Sequence, residues 1–117
     1  MRRFSQVDVA SVDRALTSLG WMGCVRWRRT FAERLFGMTS MPPVNEEGLP
    51  NIAVFPQCSS VHTAFMPFSL DIAFIDKDGR VLALHEGVRP WHMVSYASAQ
   101  AVLERASVEE ARYVAYA

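Results

Sequence analysis

A thiol and an imidazole stand four residues apart in Cys58-Ser59-Ser60-Val61-His62, and Thr63 follows directly. On a helix that spacing would put both groups on one face, where they could pair as nucleophile and base or share a metal ion. Val61, Thr63 and Phe65 alternate as in a strand, however, and in a strand residues four apart lie roughly 13 Å from each other. Contact would then need Cys58 on a turn folding back over His62. Zinc asks for at least three protein ligands, and no Cys-x-x-Cys or His-x-x-x-His spacing supplies them. No metal or other cofactor is expected.

Asp71 is the second anomaly. It lies inside Leu70-Asp71-Ile72-Ala73-Phe74-Ile75, where a strand gives it the same face as Ala73 and Ile75. A carboxylate among apolar neighbours must be paired, hydrogen-bonded or neutralised. It could accept backbone N–H groups at the end of its strand, or serve near His62 as a ligand-orienting or general-base carboxylate. If Pro67-Phe68-Ser69 joins two paired strands, Phe65 faces Asp71 and His62 points to the opposite face. One more loop residue reverses that. Arg89-Pro90-Trp91-His92 adds a cation, an indole and an imidazole, either as a ligand pocket or as a Trp lid on the core. The candidate pocket is therefore Cys58, His62, Thr63, Asp71 and Trp91. Glycine-rich phosphate loops, Gly-x-Ser-x-Gly elbows and His-Glu-x-x-His are missing, so no catalytic residue is assigned.

These residues need elements to position them. Val9–Leu19 has helical spacing at Val9, Val12, Leu16 and Leu19, with Asp8 or Ser11 as cap and Gly20 as stop. Val25-Arg26-Trp27-Arg28 alternates as a half-buried strand does. Thr30-Phe31-Ala32-Glu33 fits a capping box for a second helix ending at Gly37. Met41–Pro50 reads as a loop. Asn51–Phe55, Val61–Met66, Leu70–Asp76 and Val81–His85 read as strands, and Lys77-Asp78-Gly79 between the last two predicts a tight hairpin. Ala97–Glu104 fits helix by composition and strand by context. Ser107-Val108-Glu109-Glu110 predicts a terminal helix through Tyr113.

The 117 residues amount to one domain, half hydrophobic and 21% charged, which excludes disorder as the dominant state. Twelve basic residues balance twelve acidic ones, which argues against a nucleic-acid binder. The seven arginines before residue 37 read as a solvated basic face. Two cysteines are too few for a disulfide framework, and spacing neither supports nor excludes a single bridge. No secretory signal or bilayer-length apolar run is visible, so a reducing cytoplasm is the simplest location and no membrane is expected.

Several blocks together resemble a known family. They are Ala32-Glu33-Arg34-Leu35-Phe36-Gly37-Met38, Ile52-Ala53-Val54-Phe55, Cys58-x-x-Val61-His62-Thr63-x-x-Met66, Leu70-Asp71-Ile72-x-Phe74-Ile75-Asp76-x-Asp78-Gly79-x-Val81 and Pro90-Trp91. The chain thus resembles the bacterial "domain of unknown function 192" family, in the branch with Cys-x-x-Ile/Val-His-Thr, over roughly residues 24–105. The resemblance implies an α+β, mainly β fold: a small antiparallel β barrel with one or two short flanking helices. Residues 1–23 would be a helical extension and 106–117 a C-terminal helix. It implies no particular activity, but it points to Cys58, His62, Thr63 and Asp71, which have no plain backbone role. Ser69 replaces the family's proline, and Arg105-Ala106-Ser107-Val108-Glu109 departs from its usual closing turn.

Three functions follow. The first is a non-catalytic ligand-binding or accessory module presenting His62, Asp71 and Trp91. The second is a small enzyme in which Cys58 or Asp71 works with His62. The third is a protein-interaction module docking through Phe4, Trp21, Met22 and Trp27. The partner, a small ligand or a protein, and the oligomeric state are left open.

Overall fold

The computed structural model describes residues 7–29 and 41–107 together with the backbone of Arg112–Val114. Helix α1 is Val9–Leu19, as the periodicity predicts. Asp8 caps it reciprocally: its carboxylate accepts the Ser11 N–H at 2.9 Å, and the Ser11 hydroxyl accepts the Asp8 N–H. Gly20, at φ 72°, ends it in the left-handed region. The buried stripe is Val12, Ala15 and Leu16, whereas Val9 is exposed.

Eight strands follow among the described residues: β1 (Cys24–Trp27), β2 (Asn51–Pro56), β3 (Ser60–His62), β4 (Leu70–Ile75), β5 (Val81–Val88), β6 (Met93–Ser95), β7 (Ala101–Ala106) and β8 (Arg112–Val114). Six of them form one sheet in the order β1-β2-β7-β4-β5-β8, and β3 pairs with β6 in a separate two-stranded sheet. The large sheet is mixed, because β1 runs parallel to β2 while the other pairs are antiparallel. Its order is open, with β1 and β8 at the two ends, and the described strands do not close a barrel.

Both faces of this sheet are covered. On one face α1 and Trp21 pack against Ile52, Val54, Ala73, Ile75, Ala101 and Leu103. On the other, Ala53, Phe55, Leu70, Ile72, Phe74 and Val102 pack beneath Met41, Met66 and the inner residues of the small sheet, Val61 and Val94. Successive strand residues alternate between the two clusters, as a pleated strand demands. Burial on both sides explains why β2 and β4 read as nearly continuous apolar runs.

The Asp-Gly hairpin joins β4 to β5 as expected. Asp76 Oδ1 accepts the Asp78 and Arg80 N–H groups at 2.9 Å each, and Gly79 sits at φ 89°. The turn is also where the helix docks. Ser11 Oγ donates to the Lys77 carbonyl at 2.8 Å, and Arg14 Nε to the Asp78 carbonyl at 2.7 Å. A Cβ on Gly79 would collide with the Ser11 carbonyl oxygen, so glycine is needed there for space as well as for its φ.

Other expectations change. Val61–Met66 does not pair with β4: the strand stops at His62, and its partner is β6. The reason is Thr63, whose backbone and hydroxyl bond to the loop that carries Arg89 and His92 instead of continuing a ladder. Ala97–Glu104 resolves into a turn followed by β7, which is hydrogen-bonded on both sides by β2 and β4. Arg112–Val114 pair with β5 rather than extending a terminal helix, because β5 offers a free edge there. The expected helix from Thr30 to Gly37 lies outside the described residues. Both cysteines are free.

Candidate functional site

The residues singled out by type fall into two places separated by the large sheet. Asp71, fully buried in β4, faces the α1 side. It stands opposite Arg105 of β7, whose Nε donates to Asp71 Oδ2 at 2.9 Å and whose guanidinium lies 4.4 Å over the Trp21 ring. The other carboxylate oxygen accepts the Gly87 N–H at 3.0 Å. That N–H is available because the β4–β5 register slips between Leu70 and Ile72, with Gly87 at φ 69°. Asp71 thus serves a bulge and an ion pair. One oxygen meets a backbone N–H, as the strand-end reading expects, and the other meets a guanidinium.

Cys58, His62 and Thr63 belong to the opposite face, where Cys58 and Val61 pack against the second core cluster. They do not form a nucleophile–base pair. Cys58 Sγ donates to the Ser60 carbonyl at 3.2 Å, and His62 Nδ1 accepts the Ala64 N–H at 3.3 Å. Among the described residues, no group of three His, Cys, Asp or Glu side chains is placed to hold a metal ion.

Thr63 is the hub of what is assembled. It is fully buried, and its Oγ1 donates to the Arg89 carbonyl at 2.7 Å while accepting the His92 N–H at 2.9 Å. Its backbone N–H donates to the His92 carbonyl, and its own carbonyl accepts the N–H groups of Met66 and Trp91. One residue therefore binds two turns together. The His92 ring adds a further tie: Nδ1 lies 3.0 Å from the carbonyls of both Arg89 and Pro90, so that nitrogen carries the proton.

These ties hold two aromatic residues in the left-handed region, Phe65 at φ 64° and Trp91 at φ 70°. Each such conformation costs a bulky L-residue about 1–2 kcal/mol. Even so, the rings are exposed, Phe65 at 76% and Trp91 at 66%, and meet edge to face with centroids 4.6 Å apart. Trp91 is not a lid on the core. Beside them the small sheet turns alternate residues to solvent: His62 stands opposite Met93, which is 70% exposed, and Ser60 opposite Ser95, with a hydroxyl bond of 2.8 Å between them.

Sequence reasoning singles out Thr63 and Trp91 but not Phe65 and Met93, since neither a positive φ nor the β3–β6 pairing leaves a local signature. It also passed over Glu104, an acid inside the apolar run Val102-Leu103-Glu104, which the run itself could have flagged. Glu104 is buried opposite Ala53 and Ile72, and burial pushes its carboxyl up to about 8. The docking patch expected from Trp21, Met22 and Trp27 does not form. Trp21 is in the core, Trp27 packs against it, and only Met22 is exposed, while Phe4 lies outside the described residues.

No helix among the described residues is long and apolar enough to cross a membrane. No curated protein matches the chain. It is similar to a crystal structure of a protein of unknown function from Novosphingobium aromaticivorans DSM 12444, with a TM-score of 0.58 and 23% identity over 72% of this chain. The aligned part spans 63% of that protein's length, and the likeness is one of fold. The family model DUF192, described as Uncharacterized ACR, COG1430, matches residues 20–112, from the end of α1 into β8. This chain belongs to the DUF192 family.

Proposed function

We propose that the protein is a non-catalytic binding module that contacts a protein partner through Phe65 and Trp91, in the turns beside the small sheet, and Met93 on it. The observation that carries this reading is the pair of aromatic rings kept exposed in a costly backbone conformation. Strain of that kind persists only where the surrounding structure over-determines it, and here Thr63 and His92 do so. Burying both rings would return apolar area at a rigid, preorganised position. Tryptophan is enriched at the energetic centres of protein interfaces, and the flexible thioether of Met93 suits an irregular partner surface.

The enzyme reading is less well supported, because Cys58, His62 and Asp71 each meet a different partner and Asp71 lies across the sheet. We also place the chain in the Cys58-x-x-Val61-His62-Thr63 branch of its family. In this reading the motif is a device for building the Phe65–Trp91 pair rather than a catalytic set.

Site-specific photocrosslinking in the source cell tests the proposal. A crosslinker at Met93 should capture one defined protein, and Trp91→Ala should abolish capture without unfolding the domain. A crosslinker at Met22, also exposed but on a surface without this pair, should capture nothing comparable. Equal capture at both positions, or capture indifferent to Trp91→Ala, would sink the proposal. So would turnover of an ester, phosphate or glycoside that depends on His62.

A further inference from the structure

The loop Met41–Pro50 folds over the β1 end of the large sheet and leaves a cleft of about 660 Å³ between itself and the strands. That is within the size range of small-molecule sites. The loop is internally braced. Asn45 Oδ1 accepts the N–H groups of Glu47 and Leu49, and Val44 bridges to Pro50. Asn51, at the start of β2, anchors it through its backbone N–H to the Pro43 carbonyl and its Nδ2 to the Pro42 carbonyl.

Three features of the cleft point to one kind of ligand. Arg26 and Arg28 line its strand side, and the Arg26 side chain is exposed, with no hydrogen bond or ion pair to the described residues. Glu46 and Glu47 line its loop side, so cations and anions stand in equal number across the opening. The side chain of Asn51, 2% exposed, completes the lining, and its Oδ1 has no donor among the described residues. A buried acceptor left without a donor costs about 1–3 kcal/mol, which a ligand N–H would recover.

We propose that this cleft binds a small zwitterion of amino-acid or dipeptide size, with its carboxylate on Arg26 and Arg28 and its ammonium group toward Asn51 Oδ1 and the glutamates. A polyanion such as a nucleotide is disfavoured, because Glu46 and Glu47 would oppose its charge. The site is independent of the Phe65–Trp91 surface and does not need that surface to function.

The test is a proton–nitrogen correlation NMR titration of the full chain with three probes: alanyl-alanine, acetate and methylammonium. Alanyl-alanine should produce saturable shifts at the amides of Asn45 and Asn51 and bind more tightly than either half-probe. Arg26→Gln, at an exposed position, should weaken it about tenfold or more with the rest of the spectrum unchanged. Glu47→Gln should weaken alanyl-alanine and leave acetate unaffected. Absence of saturable shifts at these residues overturns the proposal. So does acetate binding as tightly as the dipeptide, or affinity that survives Arg26→Gln.

Discussion

Replacing Thr63 by valine keeps the shape of the side chain and removes only its hydroxyl. That hydroxyl is joined to the Arg89 carbonyl at 2.7 Å and to the His92 N–H at 2.9 Å. Losing two neutral hydrogen bonds costs about 1 kcal/mol each, and a donor left buried adds up to about 2 kcal/mol more. The expected loss is thus about 2–4 kcal/mol, or a melting temperature lower by roughly 10 °C for a domain of this size. Urea unfolding followed by circular dichroism measures it. Thr63→Ser keeps both bonds and deletes one methyl group, so it should lose only about 1 kcal/mol. With the turns loosened, Phe65 and Trp91 should relax from the left-handed region, and the proton contacts between their rings should weaken in the valine variant alone. If Thr63→Val is as stable as the parent and keeps those contacts, the hydroxyl is not what builds the aromatic pair, and the argument for a preorganised surface fails.

Glu104 makes stability depend on pH. Its folded value near 8 lies above the ordinary 4.5, so the folded state keeps a proton that the unfolded chain releases, and stability falls as pH rises between about 4.5 and 8. At about 1.4 kcal/mol per pH unit the full effect approaches 5 kcal/mol. Thermal melts at the two ends of that window should show the decline in the parent and a much flatter profile in Glu104→Gln; parallel profiles would refute the assignment. Gly79→Ala should destabilise by about 1–2 kcal/mol for its φ alone. It should cost more through displacement of α1, visible as lost protection of the Ser11–Leu16 amides in hydrogen exchange, whereas Asp78→Ala should leave that protection intact.

Much of the fold is legible in the residues themselves. Asp8, Ser11 and Gly20 bracket α1 because capping and the left-handed stop are local, and Asp78-Gly79 declares its hairpin for the same reason. The apolar strands β2 and β4 are visible because both their faces are buried. Pairing partners are not visible in this way. β3 crosses to β6 rather than to its sequence neighbour β4, since one buried threonine ends its ladder and binds a loop more than twenty residues further on. Ala97–Glu104 suits a helix by composition, and only the flanking strands β2 and β4 draw its second half into β7 at the centre of a sheet.

The same division runs through the candidate sites. Residue type alone marks Cys58, His62, Asp71 and Trp91 as groups that need an explanation, and the chain's own chemistry limits what each can do. Whether they meet is decided by which face of the sheet each occupies. Alternation along a strand is local, but the register that converts it into a shared pocket or opposite surfaces depends on partners distant in the chain. Here register sends Asp71 to Arg105 beneath α1 and Val61 to the other side. It also sets Phe65 against Trp91 through Thr63, and Arg26 in one row with Ala53 and Glu104. Composition, caps and turns are short-range properties that the sequence by itself determined. The two surfaces that could bind something arise from long-range hydrogen bonding, which only the tertiary structure decided.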